Sequence, residues 1–382
     1  MVTRREGRRA ALAVVAAVMV LGAGCSSQPS LRVHATSARP GLASPAAPSH
    51  PAGVAATGAT SGDPSAASRV APDVPATATC PATGLNITSA SQLSSALAAA
   101  QPGQVLLLAP GTYAGNFTAH VSGTAQAPVT LCGPRSAVLH GSGIDHGYVF
   151  HLDHASWWRV VGFTVENGQK GVVADGVTDD LIDGLYVHDV GDEAIHLRSA
   201  SSDNTVSNCV VRRTGLHDPM FGEGIYVGSA HKNWCAYSGC GPDASDRNVL
   251  QGNDIDDTTA ENIDIKEGTT GGQILGNQLD GVGMVASAAS AWVNVKGNRW
   301  SVVGNTGVDS LRDGFQVHQV YSGWGLDNVF RSNAAAVNGP GYGIYVQNRR
   351  LGTVVLCDNT VTGAGSGLSN MSCTTTVPAG SP

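Results

Sequence analysis

The stretch AENIDIKEG, residues 260–268, concentrates charged side chains in one short segment. Asp264 and Lys266 alternate with two isoleucines, so a strand would direct the isoleucines to one face and the charged pair to the other. Glu261 stands just before this alternation. Carboxylates grouped around an amine can transfer protons, stabilise developing charge or bind a hard cation. The segment is therefore the first candidate for a functional site.

Five other segments repeat this alternation of two apolar residues with two others. They are EAIHLRS (193–199), EGIYVGS (223–229), AWVNVKGN (291–298), DGFQVHQ (313–319) and YGIYVQN (342–348). If they stack as parallel strands about 4.8 Å apart, their outward residues form columns along one sheet. The first column contains His196, Tyr226, Asp264, Asn294, Gln316 and Tyr345, and the second contains Arg198, Gly228, Lys266, Lys296, His318 and Gln347. We expect this face to be a solvent-exposed groove floor long enough for several sugar units.

A third column of acids precedes these strands. It contains Glu193, Glu223, Glu261 and Asp313. Carboxylates one coil apart repel each other strongly unless basic groups or a cation lie among them. Oxygen ligands from several strands suit Ca²⁺, so Glu223, Glu261 and Asp264 are predicted as a calcium or charge-shaping cluster.

The elements that position these residues are predicted to be the coils of a parallel β-helix. An asparagine followed two residues later by an apolar residue recurs at Asn208, Asn253, Asn277, Asn298, Asn333 and Asn359. The shortest steps between them match one coil of three short strands and three turns, and inward asparagines can hydrogen-bond from coil to coil. A β-sandwich or propeller remains the alternative, although only 5% of the residues are aromatic. KNWCAYSGCGPD (232–243) is predicted to be an inserted loop.

One amphipathic helix is predicted, in SASQLSSALAAAQPG (89–103). Ser91 is its candidate N-cap, and Pro102 followed by Gly103 would end it. A helix here would cover the otherwise open N-terminal end of the solenoid.

The chain divides into four segments by composition. Residues 1–25 are predicted to be an export signal, because arginines precede an apolar run that is too short to span a membrane comfortably. Residues 26–79, rich in Ala, Pro, Ser, Gly and Thr, are predicted to be a flexible linker. Residues 80–376 would form the β-helix domain, and 377–382 a disordered tail.

The end of the export signal resembles the bacterial lipobox. The sequence GAGC is followed by SSQ, and the resemblance implies lipidation of Cys25. The protein is therefore expected to be exported, either as a cell-envelope lipoprotein that touches the membrane only through this anchor or as a secreted protein.

The net charge of the chain limits which kinds of molecule it can bind. The formal net charge is −7, and removing the signal segment, with its four arginines and Glu6 (net +3), leaves −10. Nucleic acid would require a basic footprint, so it is excluded as a partner. Nothing in the pattern requires a partner chain, and we expect a monomer.

Eight cysteines are present. Apart from Cys25, we expect disulfides in an exported protein, pairing by proximity Cys80 with Cys132, Cys235 with Cys240, and Cys357 with Cys373. Cys209 would be left unpaired. The cysteines are not clustered tightly enough for a metal site.

The N-terminal part of the predicted domain resembles a known family. Residues 89–135, which contain LLLAPGTY and GTAQAPVTL, are similar to the opening of the chondroitinase B/alginate lyase family of polysaccharide lyases and of the family-nine pectate lyases. This resemblance implies a right-handed parallel β-helix, so the predicted fold class is all-β, a single-stranded right-handed β-solenoid with an N-terminal capping helix.

The same family resemblance implies roles at the candidate site. AENIDIK resembles the family strand in which a glutamate binds calcium and a lysine five residues later is the base, which implies these roles for Glu261 and Lys266. VNVKG places Lys296 where the family has an essential arginine. The implied activity is β-elimination on a uronate-containing glycan.

β-Elimination requires the substrate carboxylate to be neutralised, a C–H proton to be removed and the leaving oxygen to receive a proton. We assign Lys266 as the base, expecting burial and a nearby cation to lower its pKa, and Lys296 and Arg198 as clamps for substrate charge. The residues predicted to bind substrate are His196, Tyr226, Asn294, Gln316, His318 and Tyr345.

Two alternatives remain open. The acids Glu223, Glu261 and Asp313 could serve a glycoside hydrolase through carboxylate pairs. The protein could also be a surface β-solenoid that binds carbohydrate without catalysis, in which case the lysines and acids of this face would be solvated ion pairs.

Overall fold

A computed structural model describes residues 77–378, 380 and 382 of the chain. The predicted export signal, Cys25 and nearly all of the predicted linker lie outside the described residues. Within the described residues, 31 strands form three parallel sheets, and each sheet contains every third strand once the first strand, Leu85–Ile87, is set aside. This is the β-solenoid predicted from the repeat.

Sheet A has eleven strands. They are Leu85–Ile87, Val105–Leu108, Val129–Cys132, Trp158–Val161, Leu181–Asp183, Thr205–Ser207, Val249–Gln251, Gln273–Leu275, Ser301–Val303, Val329–Arg331 and Val354–Val355.

Sheet B has ten strands. They are Gly111–Ala114, Ala137–His140, Thr164–Glu166, Tyr186–His188, Val210–Arg212, Asp254–Ile255, Gln278–Asp280, Thr306–Val308, Ala334–Gly339 and Thr360–Ala364.

Sheet C also has ten strands and contains all six of the aligned segments. They are Phe117–Ala119, Tyr148–Asp153, Lys170–Asp175, Ile195–Arg198, Ile225–Val227, Ile263–Ile265, Ala291–Val295, Asp313–Val317, Tyr342–Val346 and Gly367–Ser369.

The interior is apolar and stacked coil on coil. The inward residues of sheet C, such as Ile225, Ile263 and Val293, are fully buried and lie opposite one another in register. Since side chains alternate along a strand, this inward stack fixes the residues between them on the outer face. The apolar pattern therefore positions the candidate site.

A ladder of buried asparagines provides hydrogen-bond partners for the backbone at the turns between coils. Its members are Asn253, Asn277, Asn305, Asn333 and Asn359. The amide oxygen of each of the last four accepts hydrogen bonds from the backbone N–H and the amide of the preceding member at 2.8–3.0 Å. The sequence prediction was correct for four of these positions but wrong for Asn208 and Asn298. At the N-terminal end of the ladder, the Cys209 backbone N–H donates to Asn253, so a small buried thiol takes the asparagine's place.

Helix α1 spans Ala90–Ala98, inside the predicted segment. Its N-cap is Ser89, whose backbone is extended and whose hydroxyl accepts from the Gln92 N–H, so the prediction of Ser91 was wrong. Leu93 and Leu97 are fully buried and join the core cluster. That this helix caps the solenoid end stays a prediction.

Other helical segments lie outside the repeat. Pro219–Phe221 and His231–Asn233 are 3-10 turns, and α2 spans Trp234–Tyr237 within the predicted inserted loop. No helix among the described residues is long and apolar enough to cross a membrane.

The three cysteine pairs expected from proximity are confirmed. Disulfides join Cys80 to Cys132, Cys235 to Cys240, and Cys357 to Cys373, while Cys209 is unpaired and buried. One disulfide lies within the inserted loop and the other two lie near the ends of the strand stack.

Candidate active site

The outer face of sheet C carries the predicted columns in the predicted register. Asp264 lies opposite Tyr226 in the preceding strand and opposite Asn294 in the following strand. The same register joins His196 to Tyr226, Asn294 to Gln316, and Gln316 to Tyr345. The sequence therefore predicted which side chains are neighbours on this face.

The face is much less exposed than predicted. Asp264 is 1% exposed and Lys296 is 8% exposed, whereas an open groove floor was expected. Glu223, Tyr226 and Asn294 are buried as well. The neighbouring side chains cover one another, because the lysines fold over the carboxylates instead of extending into solvent.

Two loops from outside the repeat line the carboxyl ends of these strands. Immediately before the inserted loop, the His231 N–H and ring both contact the Glu267 carboxylate, at 2.8 and 2.7 Å. The ring of Tyr321, from the loop after the Asp313–Val317 strand, stacks on His231 at 4.8 Å, and Trp234 packs edge-on against Tyr321. These loops form an aromatic wall beside the columns.

Asp264 bridges two lysines at the centre of the face. Its carboxylate oxygens lie 2.5 Å from the Lys266 Nζ and 2.5 Å from the Lys296 Nζ. Burial alone would raise the pKa of Asp264, but the two lysines outweigh burial and hold the pKa below its ordinary value. Asp264 is therefore an ionised carboxylate held between two ammonium groups.

The structure shifts the pKa of Lys266 in the direction opposite to the one expected. Burial would lower this pKa, but Asp264, Tyr226 and Glu223 outweigh it and raise the pKa well above the ordinary lysine value. The sequence-based expectation of a lowered pKa was wrong because Asp264 lies against the amine. Lys266 is an ammonium group at rest.

Tyr226 lies beside this ammonium group. The Lys266 Nζ is 4.7 Å from the centre of the Tyr226 ring. Burial raises the pKa of the Tyr226 hydroxyl, although Lys266 opposes the shift. The phenol is therefore a neutral donor in contact with a cation.

The predicted acid cluster is present. Glu223, Glu261 and Asp264 each offer a carboxylate oxygen, and these oxygens lie within 4.8 Å of one another. Burial raises the pKa of Glu223 to about 8, against the effect of Lys266, and burial also raises the pKa of Glu261. Glu223 is thus a weaker acid here than an ordinary glutamate.

As arranged, the oxygens of this cluster contact other groups. Calcium takes about six to eight oxygen ligands at about 2.3–2.6 Å. Both Asp264 oxygens already contact ammonium groups, and a Glu261 oxygen accepts from Asn294 at 2.9 Å. A cation at this cluster would therefore compete with the two ammonium groups for Asp264.

A hydrogen-bond chain continues from Glu261 toward the C-terminal end of the sheet. The Asn294 amide donates to Glu261, and the Asn294 oxygen faces the His318 Nδ1 at 2.9 Å. Burial, followed by Lys296, lowers the pKa of His318 below its ordinary value. His318 therefore favours its neutral form more strongly than an ordinary histidine does.

A second charged region lies two to three coils from Asp264 toward the N-terminal end. Lys170 occupies the position before Glu193 in the acid column and contacts its carboxylate. Arg198 makes two hydrogen bonds to Asp175, at 2.6 and 3.0 Å. Since Asp175 already engages this guanidinium, Arg198 has fewer free donors for a substrate carboxylate than its predicted role as a clamp assumed.

A cavity of about 270 Å³ opens between these two regions. Its lining includes Tyr148, Lys170, His196, Arg198, Tyr226 and Tyr237. The Arg198 guanidinium lies 4.3 Å from the centre of the Tyr237 ring, which belongs to the inserted loop. Because Tyr226 lines the cavity and also contacts Lys266, the cavity adjoins the lysine centre.

His196 is buried beneath this cavity. One ring nitrogen, Nε2, bonds to the Gly228 carbonyl at 2.9 Å, while Nδ1 is buried without a hydrogen bond. Burial, with Lys170 and Arg198, holds the pKa of His196 well below its ordinary value. Its ring packs edge-on against Tyr226 at 4.3 Å.

Two predicted binding residues lie away from the lysine centre. The Gln316 amide donates to Ser290 and to Asp313 at 2.8 Å, so it connects the start of its own strand to the residue before the preceding strand of the sheet. Tyr345 is one strand further on, with its ring 6.2 Å from that of His318.

Sequence reasoning missed Lys170, Asp175, Tyr148 and Tyr237. The strand KGVVAD belongs to sheet C, but it carries lysine where the next strands carry an acid, so it was not aligned with them. Extending the columns one coil earlier would have found Lys170 and Asp175. No repeat signal marks Tyr237, because it belongs to the insertion.

Comparisons with known proteins agree with this architecture. A family model described as "Right handed beta helix region" matches residues 148–318. An alginate lyase from Paenibacillus sp. str. FPU-7 is 34% identical, with a TM-score of 0.69, and the match covers 75% of this chain and 98% of that one. The chain therefore belongs to the right-handed parallel β-helix polysaccharide lyases, which confirms the resemblance inferred from the sequence.

More distant structures share the fold alone. The pectate lyase Pel9A is 16% identical, with a TM-score of 0.55 over 75% of this chain and 79% of that one. PfbA, a surface adhesin of Streptococcus pneumoniae, is 13% identical, with a TM-score of 0.51 over 75% and 80%. No curated protein sequence matches the chain significantly. Because the same fold occurs in an adhesin, the fold by itself does not define the chemistry.

Proposed function

We propose that this lyase cleaves a uronate-containing polysaccharide by β-elimination at the centre formed by Tyr226, Asp264, Lys266 and Lys296. The observation that carries the proposal is the pair of lysine ammonium groups held by one buried carboxylate. The alginate lyase at 34% identity, whose substrate is a uronate polymer, supports the same substrate class.

The lysines suit the first requirement of the reaction. A uronate C–H beside an ionised carboxylate is a weak acid, and positive charge at the carboxylate makes it more acidic. Lys266 and Lys296 supply two ammonium groups in a buried setting, where electrostatic effects exceed those in water. The substrate carboxylate would compete with Asp264 for them.

The resting ionisation state revises the role assigned to Lys266. As an ammonium group beside a neutral phenol, it is suited to deliver a proton to the leaving oxygen, directly or through Tyr226. To act as the base, it would first have to lose the proton that Asp264 stabilises. The proton acceptor is better sought among neutral groups on the same face.

The reaction balances without an added reagent. A base takes the proton next to the carboxylate, and the C–H electrons form a carbon–carbon double bond. The adjacent bond to the glycosidic oxygen breaks, and that oxygen takes a proton. The product carries an unsaturated uronate at its new non-reducing end.

Calcium is the second means of neutralising the substrate carboxylate. The acid cluster of Glu223, Glu261 and Asp264 is the observation in its favour. The two lysines already offset the charge of this cluster, so we assign the neutralising role to the lysines. Metal dependence is tested below.

We further propose that the protein is exported and anchored through Cys25 or secreted. Three disulfides among the described residues support an oxidising compartment. Metabolic labelling with a fatty acid tests the anchor, because it would mark the wild type and not Cys25→Ser.

The activity is tested by incubating the purified protein with alginates, pectates, glycosaminoglycans and glucuronans. We expect ultraviolet absorbance from the unsaturated uronate on at least one polymer. Reducing ends without this absorbance would instead support hydrolysis by the carboxylates. Binding without either product would support a non-catalytic carbohydrate-binding solenoid.

A further inference from the structure

We propose that the cavity of about 270 Å³ beside the lysine centre is a subsite for one sugar unit of the glycan, and that Asp192 recognises this unit through a free hydroxyl group. The substrate class is then a uronate polymer whose hydroxyls are not esterified at this unit. The inference rests on the proposed β-elimination and adds a selectivity that the lysine centre does not supply.

The cavity adjoins the lysine centre without containing Lys266. Its lining extends from Tyr148 to Tyr226, which lie on strands of sheet C three places apart. Lys266 lies on the strand that follows Tyr226. Since neighbouring strands are about 4.8 Å apart, the cavity extends over about 14 Å and begins one strand from Lys266. A sugar unit bound here can therefore belong to the same polymer chain as the unit at Lys266.

The charges around the cavity disfavour a substrate carboxylate. Lys170 contacts Glu193, and two nitrogens of Arg198 donate to Asp175, so both cations already have acidic partners. Asp192 adds a third carboxylate to the surroundings of the cavity, and its hydrogen bond, at 2.8 Å, comes from a neutral amide. A ligand carboxylate would thus face three acids and two bases.

Two buried side chains of the lining have atoms without hydrogen-bond partners. Asp192 is 5% exposed and its Oδ1 has no partner, while its Oδ2 accepts from Gln169. His196 is 4% exposed, and its Nδ1 lies without a hydrogen bond 3.5 Å from a Glu193 oxygen. A buried polar atom without a partner is destabilising, and a ligand hydroxyl that reaches Asp192 would remove this cost.

A hydroxyl matches the open hydrogen-bonding positions better than an ester does. The Arg198 Nη1 makes no hydrogen bond within the described part of the chain and is not among the buried atoms that lack a partner, so it is a donor in contact with solvent. A hydroxyl can accept from this donor and also donate to the Asp192 Oδ1, whereas an ester can only accept. Acetylation would remove the hydrogen that Asp192 requires.

The size of the cavity also disfavours an added acyl group. Pockets for drug-sized ligands have volumes of about 300–1,000 Å³, and this cavity is smaller than that range. One sugar ring is a suitable occupant, and an acetyl group on it would have to compete for the same space.

Aromatic side chains border the cavity at both edges of the sheet. Phe221 belongs to the turn before the Ile225–Val227 strand and is 48% exposed, whereas Tyr237 belongs to the inserted loop after that strand and is 38% exposed. Exposed rings beside polar groups suit a sugar unit, which has apolar C–H faces as well as hydroxyls.

The test compares kinetics on alginate and on the same alginate acetylated at its hydroxyls, or on the polymer of the panel that the wild type cleaves best. We expect acetylation to lower the kcat/KM of the wild type by about tenfold or more, mainly through KM. Asp192→Asn should raise KM on the free polymer by about 10–100-fold with little change in kcat. It should also reduce the discrimination, because the new amide can donate to an ester carbonyl.

Two further variants separate this selectivity from a general loss of binding. Tyr237→Leu removes a ring from the same cavity but none of its hydrogen-bonding positions, so it should raise KM about 2–10-fold on both polymers and keep their ratio. Asp254→Asn changes a half-exposed acid on sheet B and should alter neither value. Thermal unfolding of Asp192→Asn checks that this variant is folded.

A binding measurement tests the subsite without turnover. Saturated tetrasaccharides from acid hydrolysis of alginate should bind Lys266→Met in isothermal titration calorimetry, and acetylated tetrasaccharides should bind at least tenfold more weakly. Adding Asp192→Asn should remove most of this difference.

The inference is overturned if the tetrasaccharide does not bind, if acetylation leaves the kcat/KM of the wild type unchanged, or if Asp192→Asn keeps the wild-type ratio between the two polymers. If no uronate polymer yields an unsaturated product, the proposed function fails instead, and the calorimetric comparison then decides the subsite by itself.

Discussion

The pKa values of two lysines on the outer face of sheet C are shifted in opposite directions. Burial, with Arg198, lowers the pKa of Lys170 to about 8, even though Glu193 contacts its amine. Asp264 overcomes the same effect of burial at Lys266 and raises its pKa. The two residues lie three strands apart on one face and are similarly buried, with side chains 12% and 14% exposed.

The difference shows that the arrangement of partners, and not burial alone, sets the state of each lysine. At the N-terminal region, two acids and two bases pair separately, Lys170 with Glu193 and Arg198 with Asp175. At the lysine centre, one carboxylate serves two ammonium groups. Only the second arrangement holds two ammonium groups on one carboxylate, where a substrate carboxylate could compete for both.

The largest expected effect is a difference in kcat between variants of the two lysines. Lys266→Met should lower kcat by about 10²–10⁴-fold, because it removes charge and a proton donor at the reacting atoms. Lys170→Met should act mainly on KM, because its amine lines the cavity beside the centre. Steady-state kinetics on the best polymer measures both. Equal losses of kcat would remove the distinction between the regions.

The next effect concerns stability. Asp264→Asn leaves two buried ammonium groups without their carboxylate and should cost about 3–5 kcal/mol of the free energy of unfolding. Chemical denaturation measures this cost. The control is Asp254→Asn, since Asp254 and its partner Arg212 are each 43% exposed, and this change should cost less than about 1 kcal/mol. A similar cost for both variants would mean that the buried bridge contributes little.

Glu223 gives the lysine centre a dependence on pH. Its folded pKa of about 8 lies above the unfolded value, so the folded state binds the extra proton. The associated stability is fully present below about pH 4.5 and is lost as pH rises through about 8, by at most about 1.4 kcal/mol per pH unit.

Glu223→Gln mimics the protonated state and should remove this dependence. The variant should match the wild type near pH 5 and exceed its stability near pH 8, as measured by denaturation at both values. A wild type that is more stable at pH 8 than the variant would show that Glu223 is ionised in the folded protein.

The smallest expected effect is that of calcium. Chelator should leave kcat nearly unchanged, and added Ca²⁺ should not raise the unfolding temperature through this cluster. A bound ion at about a hundred times its Kd would instead stabilise the protein by about 2.7 kcal/mol. A stabilisation of that size that disappears in Glu261→Gln would show that the cluster binds calcium.

The sequence predicted the repeat and the columns well because the inward apolar residues set the register. Once Ile263 and Ile265 are buried, Asp264 and Lys266 must lie outside, opposite their equivalents in neighbouring strands. Register in a solenoid is thus a local property that alternation reveals.

Burial and ionisation were predicted poorly because they depend on contacts outside the repeat. The aromatic wall of His231, Trp234 and Tyr321 comes from two insertions whose position no period indicates. The pKa of Lys266 depends on whether its amine turns toward Asp264 or toward solvent, which strand alternation does not specify. Cys209 is a further example. Its backbone N–H donates to Asn253 at the N-terminal end of the asparagine ladder, but the residue is not an asparagine, so the asparagine repeat did not predict this contact.

The most direct test of the central claim is the mass of the products released from a uronate polymer by the wild type and by Lys266→Met. Elimination gives the fragment with the new non-reducing end a mass one water lower than hydrolysis would, while the fragment from the original non-reducing end of the polymer has the same mass in both reactions. We predict that the fragments cut from the interior of the polymer by the wild type all have the lower mass and that Lys266→Met releases almost none. Interior fragments of hydrolytic mass, or unsaturated fragments at an unchanged rate from Lys266→Met, would contradict the account.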